Sequence, residues 1–234
     1  MFTAVKHDVP GGHVQVIQVV DLSVPVDAGT QVFPGDPVVA SRPHATLAAD
    51  GYNVQALSMG SQTGTHVDAP FHFADGGLRV DELDLSLLTG PGVVVDVRGR
   101  APRSRLTWDD LAPHDRFGPG VLVLLQTGWS AHYGTPAYFD HPFLDAGACR
   151  RLLAAGVRLI ALDAPNLDVT PTDDDPGEGY PVHHLVAAVG GVIGENLTNL
   201  AGVEFPDPWV SLLPLKLTGA DGAPVRAVAM QVAP

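Results

Sequence analysis

Apolar residues in this chain fall mostly into short, β-branched runs: His13–Val20, Gly92–Val97, Val121–Leu125, Arg158–Leu162, Trp209–Leu217 and Val225–Val232. Runs of this length, bounded by turn-forming residues, predict strands. Helical periodicity is scarcer. Asp145–Ala155 opens on an Asp cap, puts Cys149, Leu152, Leu153 and Gly156 on one face and stops at a glycine. Thr107–Leu111 opens on a Thr cap, and a third helix starts near Pro181. These start and stop signals follow the usual capping chemistry. The pattern predicts an α/β fold, strand-rich with few helices. The 26 Gly and 21 Pro are spread over the whole length, so no linker stands out and one domain over residues 1–234 is expected.

Three of the apolar strands run into a polar residue at the carboxyl end, Asp96, Gln126 and Asp163. Open α/β sheets bind ligands at such ends, although a polar residue there also simply starts a turn. Charge narrows the partners. With Lys plus Arg at 13 and Asp plus Glu at 26, the net charge of −13 repels a phosphate backbone and argues against nucleic acid. Arg98, Arg100, Arg103 and Arg105 form the one basic cluster, either an anion site or, the favoured reading, a solvated turn after a strand. No run approaches a charge-free membrane span, and residues 1–12 lack the basic stretch and apolar core of a secretion signal, so a soluble, cytoplasmic protein is expected. Cys149 is the only cysteine, which rules out an intrachain disulfide, and its helical face points to packing rather than to a catalytic thiol.

The densest chemistry lies in Gln62-Thr63-Gly64-Thr65-His66-Val67-Asp68-Ala69-Pro70-Phe71-His72. Taken as extended chain, Gln62, Gly64, His66, Asp68 and His72 share one face while Val67, Ala69 and Phe71 face a core. Pro70 keeps Ala69 extended, and Gly64 removes bulk where a ligand could approach. Imidazole and carboxylate without thiolate suit zinc, manganese or iron. His-x-Asp alone is weak, because polar alternation on a surface strand produces it by chance.

The longer string Gly64-Thr65-His66-x-Asp68-x-Pro70-x-His72 resembles the signature of the cyclase family of metal-dependent hydrolases, which includes bacterial kynurenine formamidases, isatin hydrolases and a dienelactone hydrolase. The resemblance continues at Gln31-Val-Phe-Pro-Gly-Asp-Pro37, at Pro181-Val-His183-His184-Leu and at Gly190-Gly-Val-Ile-Gly-Glu195-Asn-Leu-Thr-Asn-Leu200, so it covers roughly Asp21 to Leu200. It implies the swivelling β/β/α fold, a divalent metal, Zn or Mn, a small and optionally aromatic substrate, and a homo-oligomer. It also implies a ligand histidine and a ligand glutamate twelve residues apart, as His183 and Glu195 are. His184 is the alternative to His183, since neighbours on a helix point about 100° apart and one of them reaches the metal. The formamidase members carry histidine where this chain has Gln62, and a glutamine amide is a weaker zinc ligand than imidazole. A general metal hydrolase is therefore a safer expectation than a two-zinc formamidase.

With His66 and Asp68 holding the metal, aided by Gln62, His183 or Glu195, hydrolysis of an amide or ester carbonyl by metal-activated hydroxide is expected. His72 is the expected general acid/base, with a further ligand or a bonded core histidine as its alternative roles. Glu195 reads equally as a helix-start carboxylate. Phe71, Phe73, Trp129 and Tyr133 form either an aromatic substrate wall or part of the core. His7, His13, His44, His114, His132 and His141 read as solvated or locally bonded surface positions, and Asp173-Asp174-Asp175-Pro-Gly-Glu178 as an exposed turn. The rival functions are a serine hydrolase built on Ser130, whose surroundings lack the closing glycine of a nucleophile elbow, a metal-dependent ring-closing enzyme, and a non-catalytic metal or small-ligand binder.

Overall fold

The structure, a computed structural model, describes residues 15–233. The strand expected from His13 begins within that range at Gln15, and His7 and His13 lie outside it. In chain order the strands are β1 (Gln15–Asp21), β2 (Ala40–Ala45), β3 (Val54–Ser58), β4 (His66–Asp68), β5 (Thr89–Asp96), β6 (Arg105–Leu106), β7 (Leu122–Gln126), β8 (Phe143–Leu144), β9 (Leu159–Leu162), β10 (Val192–Glu195), β11 (Trp209–Ser211), β12 (Gly222–Pro224) and β13 (Val228–Ala233). The helices are α1 (Leu47–Asp50), α2 (Trp108–Leu111), α3 (Ala146–Ala154) and α4 (Pro181–Ala188). The expected strand-rich α/β class with few helices is what the chain forms. No described helix is long and apolar enough to cross a membrane.

Nine strands make one sheet in the order β1-β13-β11-β5-β7-β9-β10-β4-β12, with β2-β3 and β6-β8 as separate pairs. β5, β7, β9 and β10 run parallel, while every other pairing in the large sheet is antiparallel. The parallel strands are continuous apolar runs because both their faces are covered. On β7, Val123 and Leu125 point into a core with Cys149 and Leu152 of α3 and Val182 and Val186 of α4, while Leu122 and Leu124 point into a second core on the other face. That second core joins Val20 of β1, Val210 of β11 and Ala229 of β13 to Val67 of β4 and Ala223 of β12. The two ends of the sheet therefore curl over the same apolar layer, each fully buried aliphatic chain contributing roughly 1.5–3 kcal/mol. Cys149 is buried as expected, and burial pushes its thiol up to about 12.

Several boundaries differ from the sequence pattern. Trp209–Leu217 keeps strand pairing only to Ser211, because Pro214 has no N–H to give and survives as an isolated bridge to Val225. Val225–Val232 accordingly becomes β13 starting at Val228. The run 62–72 is not one extended segment: its strand spans only His66–Asp68, and Pro70–His72 is a single 3-10 turn. Strict alternation therefore does not govern it. Gly64 has φ +64°, and a Cβ there would meet Val26 Cγ2 at 3.0 Å, so its role is a left-handed turn packed on the Val24–Val26 segment and not room for a ligand. The four arginines are ion-paired: Arg98 with Asp96, Arg100 with Asp110, Arg103 with Asp175 and Arg105 with Glu178. Two of those acids belong to the exposed 173–178 turn, so these arginines are committed to holding loops. His141 corrects the surface reading: it is 1% exposed, its Nε2 faces Thr170 Oγ1 at 2.9 Å, and burial lowers it to about 4.

Candidate metal centre

β4 is sandwiched between β10 and β12, and its register sets Glu195 directly opposite His66. His66, Asp68 and Glu195 each offer one ligand atom, all within 4.8 Å of one another and all buried. His66 Nε2 lies 3.4 Å from Asp68 Oδ1 and 3.6 Å from Glu195 Oε2. From α4, His183 Nε2 lies 3.5 Å from Asp68 Oδ2 and 3.3 Å from Glu195 Oε1. His184 is exposed and turned edge-on to Phe73, so of the two adjacent histidines the cluster contains His183.

The imidazoles are aimed by their other nitrogens. His66 Nδ1 donates to Gly64 O at 2.8 Å, and His183 Nδ1 donates to Asp168 Oδ2 at 2.7 Å, which turns both Nε2 atoms toward the carboxylates. Asp168 also accepts from the backbone N–H of Val182 and His183, so it caps α4 from a distant loop and fixes the helix that carries His183. Replacing Asp168 with Asn is expected to weaken metal affinity roughly 10–100-fold with little loss of helix content, as measured by metal titration and circular dichroism. Asn196 completes the mounting: its Nδ2 donates to Gly64 O at 2.9 Å, its Oδ1 accepts from Tyr138, and its carbonyl accepts from Thr65 Oγ1.

Both Asp68 oxygens are buried and receive no hydrogen bond among the described residues. A buried, unpartnered carboxylate is costly unless it coordinates a cation, and an all N/O donor set of imidazole and carboxylate suits a first-row divalent ion. The residues present thus fit a metal. Burial pulls the His66 pKa down, but Asp68 and Glu195 outweigh it and raise it to about 9; His183 is likewise raised well above its usual value by Asp168, Asp68 and Glu195. Burial first, then the charge of Asp68, raises Glu195, while the two histidines hold Asp68 well below the carboxylate range. A cation entering here displaces imidazole protons, so its binding strengthens as pH rises.

A cleft of about 250 Å³ opens over this cluster. His72 stands at its wall with Nδ1 donating to Asp221 Oδ2 at 2.9 Å. Burial lowers His72, but the Asp221 carboxylate outweighs it and raises it, while His72 in turn holds Asp221 well below the carboxylate range. Gln62 Nε2 donates to the same Asp221 oxygen at 2.8 Å, which leaves Gln62 Oε1 buried without a donor. Gln62 therefore belongs to the His72–Asp221 wall, beside the His66–Asp68–Glu195 group. The aromatic residues of the cleft are Phe33, Phe73, Tyr138, Phe139 and Tyr180. Of the four aromatics singled out in the sequence only Phe73 is among them: Trp129 is buried in the helix-side core, Tyr133 packs on that core, and Phe71 carries the Arg79 guanidinium over its ring. Asp96, Gln126, Asp163 and Ser130 do not line it; Asp163 instead accepts from the Thr127 and Gly128 amides and shapes the turn after β7.

Asp168, Asp221 and Asn196 escaped sequence reasoning. Only Asn196 had a signal, as the residue after Glu195 in the matched string; Asp168 and Asp221 sit in turns whose local sequences resemble any other acidic loop.

A buried cluster of two imidazoles and two carboxylates, under a cleft with a carboxylate-backed histidine, defines a metal-dependent hydrolase centre. The family model described as "Putative cyclase" matches residues 20–169, and the chain belongs to the cyclase family. It is 34% identical over 209 residues to a kynurenine formamidase from Geobacillus thermodenitrificans, covering 89% of this chain and 95% of that protein. Isatin hydrolase A from Labrenzia aggregata, solved with benzyl benzoate bound, superposes with a TM-score of 0.81 at 26% identity, covering 93% of each chain. A structure described as a predicted metal-dependent hydrolase from Bacillus stearothermophilus gives a TM-score of 0.71 at 26% identity, covering 94% of this chain and 99% of that one. The chain is thus a homologue of kynurenine formamidases and isatin hydrolases, and an enzyme of the metal-dependent hydrolase class.

Proposed function

We propose that the protein hydrolyses the amide or ester carbonyl of a small aryl substrate, a formyl-arylamide, lactam or lactone, with a divalent metal, Zn or Mn, held by His66, Asp68, His183 and Glu195. The observation that carries this is the orphaned Asp68 carboxylate, enclosed by two aimed imidazoles and a second carboxylate at the floor of an aromatic cleft. When bound, the divalent ion supplies Lewis acidity, acidifying a water toward a pKa of about 7 and polarising the substrate carbonyl. The remaining chemistry belongs to the chain. Phe73, Tyr180 and Phe139 offer ring faces and edges to an aryl group and keep bulk water from the carbonyl. His72 donates the proton that the leaving nitrogen or oxygen requires, and Asp221 fixes its tautomer by accepting from Nδ1, so that Nε2 is the nitrogen that exchanges the proton. Gln62, held by Asp221 at the wall of the same cleft, keeps a buried Oε1 free as an acceptor for the ion or for a water.

The nine-stranded mixed sheet with helices on one face supports assigning the swivelling β/β/α fold to a single domain. Exposed Val16, Ile17 and Val19 on edge strand β1, with Leu47 and Leu57 of the β2-β3 region, support a homo-oligomer.

Elemental analysis of the purified protein, followed by assay of the same preparation on formyl-arylamide, lactam and lactone substrates, tests the reading. Turnover that chelator removes and Zn or Mn restores is expected. Chelator-insensitive turnover that disappears in Ser130→Ala would point to serine chemistry and sink it.

A further inference from the structure

The segment that follows β9 turns three consecutive residues toward the centre. Leu167 N donates to Glu195 Oε1 at 3.1 Å, and the Asp168 carboxylate holds His183 Nδ1. Asn196 N donates to Ala164 O at 2.9 Å, which ties the same segment to the residue after Glu195. Between these anchors Asn166 lines the cleft, with Pro165 stiffening the backbone ahead of it. Asn166 is only 5% exposed, and its Oδ1 accepts from the Asp168 N–H at 2.7 Å. A backbone N–H is met by the amide oxygen and never by the amide nitrogen, so this contact fixes which way the side chain points. Its Nδ2 carries two N–H donors and has no hydrogen-bond acceptor among the described residues. Unlike Gln62 Oε1, that nitrogen is not sealed among protein atoms, and its donors open to the cleft.

The other side-chain amides of the cleft are committed. Gln31 Nε2 donates to Thr135 O, Gln62 Nε2 to Asp221 and Asn196 Nδ2 to Gly64 O, while the Tyr138 hydroxyl donates to Asn196. Among the described residues no Lys or Arg lines the cleft. Resting on the hydrolase reading above, we propose that Asn166 is a catalytic residue whose Nδ2 donates a hydrogen bond to the substrate's carbonyl oxygen and holds the negative charge that this oxygen gains during attack. As a water oxygen bonds to the carbonyl carbon and gives up a proton to solvent, the π pair of the carbonyl moves onto its oxygen. When that pair returns, the bond to the leaving nitrogen or oxygen breaks, the leaving atom takes the His72 proton, and His72 regains one from solvent. Asn166 suits the task because it is a donor with no proton to lose and no charge of its own. It is also held in place before the substrate arrives, so it stabilises the developing charge without reorganising. Its donor acts on the carbonyl and not on the leaving group, so it serves amides, lactams and lactones alike.

The test measures kcat and KM for formanilide, by formate release, in metal-loaded wild type, Asn166→Ala and Asn166→Asp, with metal content determined on each sample. Asn166→Ala removes the donor, and Asn166→Asp removes it while keeping an oxygen to accept from Asp168 N. Both variants are expected to lose about 10²–10³-fold in kcat, with KM within about threefold of wild type and full metal content. A wild-type kcat in Asn166→Ala would overturn the proposal. So would a loss that tracks lost metal, which would reduce Asn166 to a support for Asp168. A binding arm stands apart from turnover: 2,2,2-trifluoroacetophenone, whose hydrate mimics the tetrahedral adduct, and acetophenone, which forms little hydrate, are each titrated by calorimetry. Wild type is expected to hold the fluorinated ketone about tenfold or more tighter, and Asn166→Ala to lose most of that margin while binding acetophenone as before. An equal margin in wild type and variant, or no margin in wild type, overturns the assignment. If formanilide, a lactam and a lactone all resist the wild-type enzyme, the hydrolase reading is what has failed, and the ketone margin alone then decides for or against Asn166.

Discussion

Asp68→Ala is expected to strip the protein of metal and lower kcat/KM by about a thousandfold or more, a loss of roughly 4 kcal/mol in transition-state stabilisation. The reason is topological as much as chemical. Asp68 and Glu195 each turn one oxygen to each imidazole, but Glu195 Oε1 also accepts from the Leu167 N–H, whereas Asp68, with Oδ1 toward His66 and Oδ2 toward His183, has no hydrogen-bond partner on either oxygen among the described residues. Losing it removes one of the two carboxylates that lie between the histidines carried by β4 and by α4, and the one whose oxygens are free for a cation. The strand itself should persist, because its pairing to β10 and β12 uses backbone groups and its packing uses Val67. Elemental analysis, kcat/KM and circular dichroism on the same sample separate the cases. His66→Ala should behave alike, and retention of both metal and full activity in the two variants would remove the centre assigned here.

His72→Ala is expected to act differently, lowering kcat about 10²–10⁴-fold while the metal content stays at the wild-type level. Its pH dependence carries the sign of the Asp221 interaction. A raised His72 pKa keeps the imidazole protonated above about 6.5, its ordinary value, so the alkaline limb of the kcat/KM profile should lie above that pH. Asp221→Asn removes the stabilising charge, lowers the His72 pKa and moves that limb to lower pH. A profile that does not move in Asp221→Asn would show that His72 is not the proton donor.

The apolar strands β5, β7 and β9 were legible because burial on both faces writes an uninterrupted run, and α3 because an Asp cap and a Gly stop bracket it. β10 and β12 were not predicted as strands, and β4 is the short strand within a run, 62–72, that was read as extended over its whole length: each spans three or four residues and alternates no pattern long enough to bound it. His66 and Asp68 could be read from their own neighbourhood, since they lie two positions apart on one strand, and His183 and Glu195 followed from the family-like string. The partners that aim them could not. Asp168, which backs His183, and Asp221, which backs His72, arrive from separate loops, and nothing local distinguishes an acid that backs a histidine from the exposed acids of the 173–178 turn. Gln62 was placed on the right side of the site for an incomplete reason: a turn and a shared carboxylate bring it there, not strand alternation.

The separation of these pieces along the chain also dictates an order of events during synthesis. Thr65 meets Asn196 across 131 residues, and His72 meets Asp221 across 149. The β4 segment leaves the ribosome early but has no pairing neighbour until β10 and then β12 have followed it. A nascent chain therefore cannot present a finished cation trap, and the centre matures in one late step, after translation has passed Asp221, when the last strands close over β4.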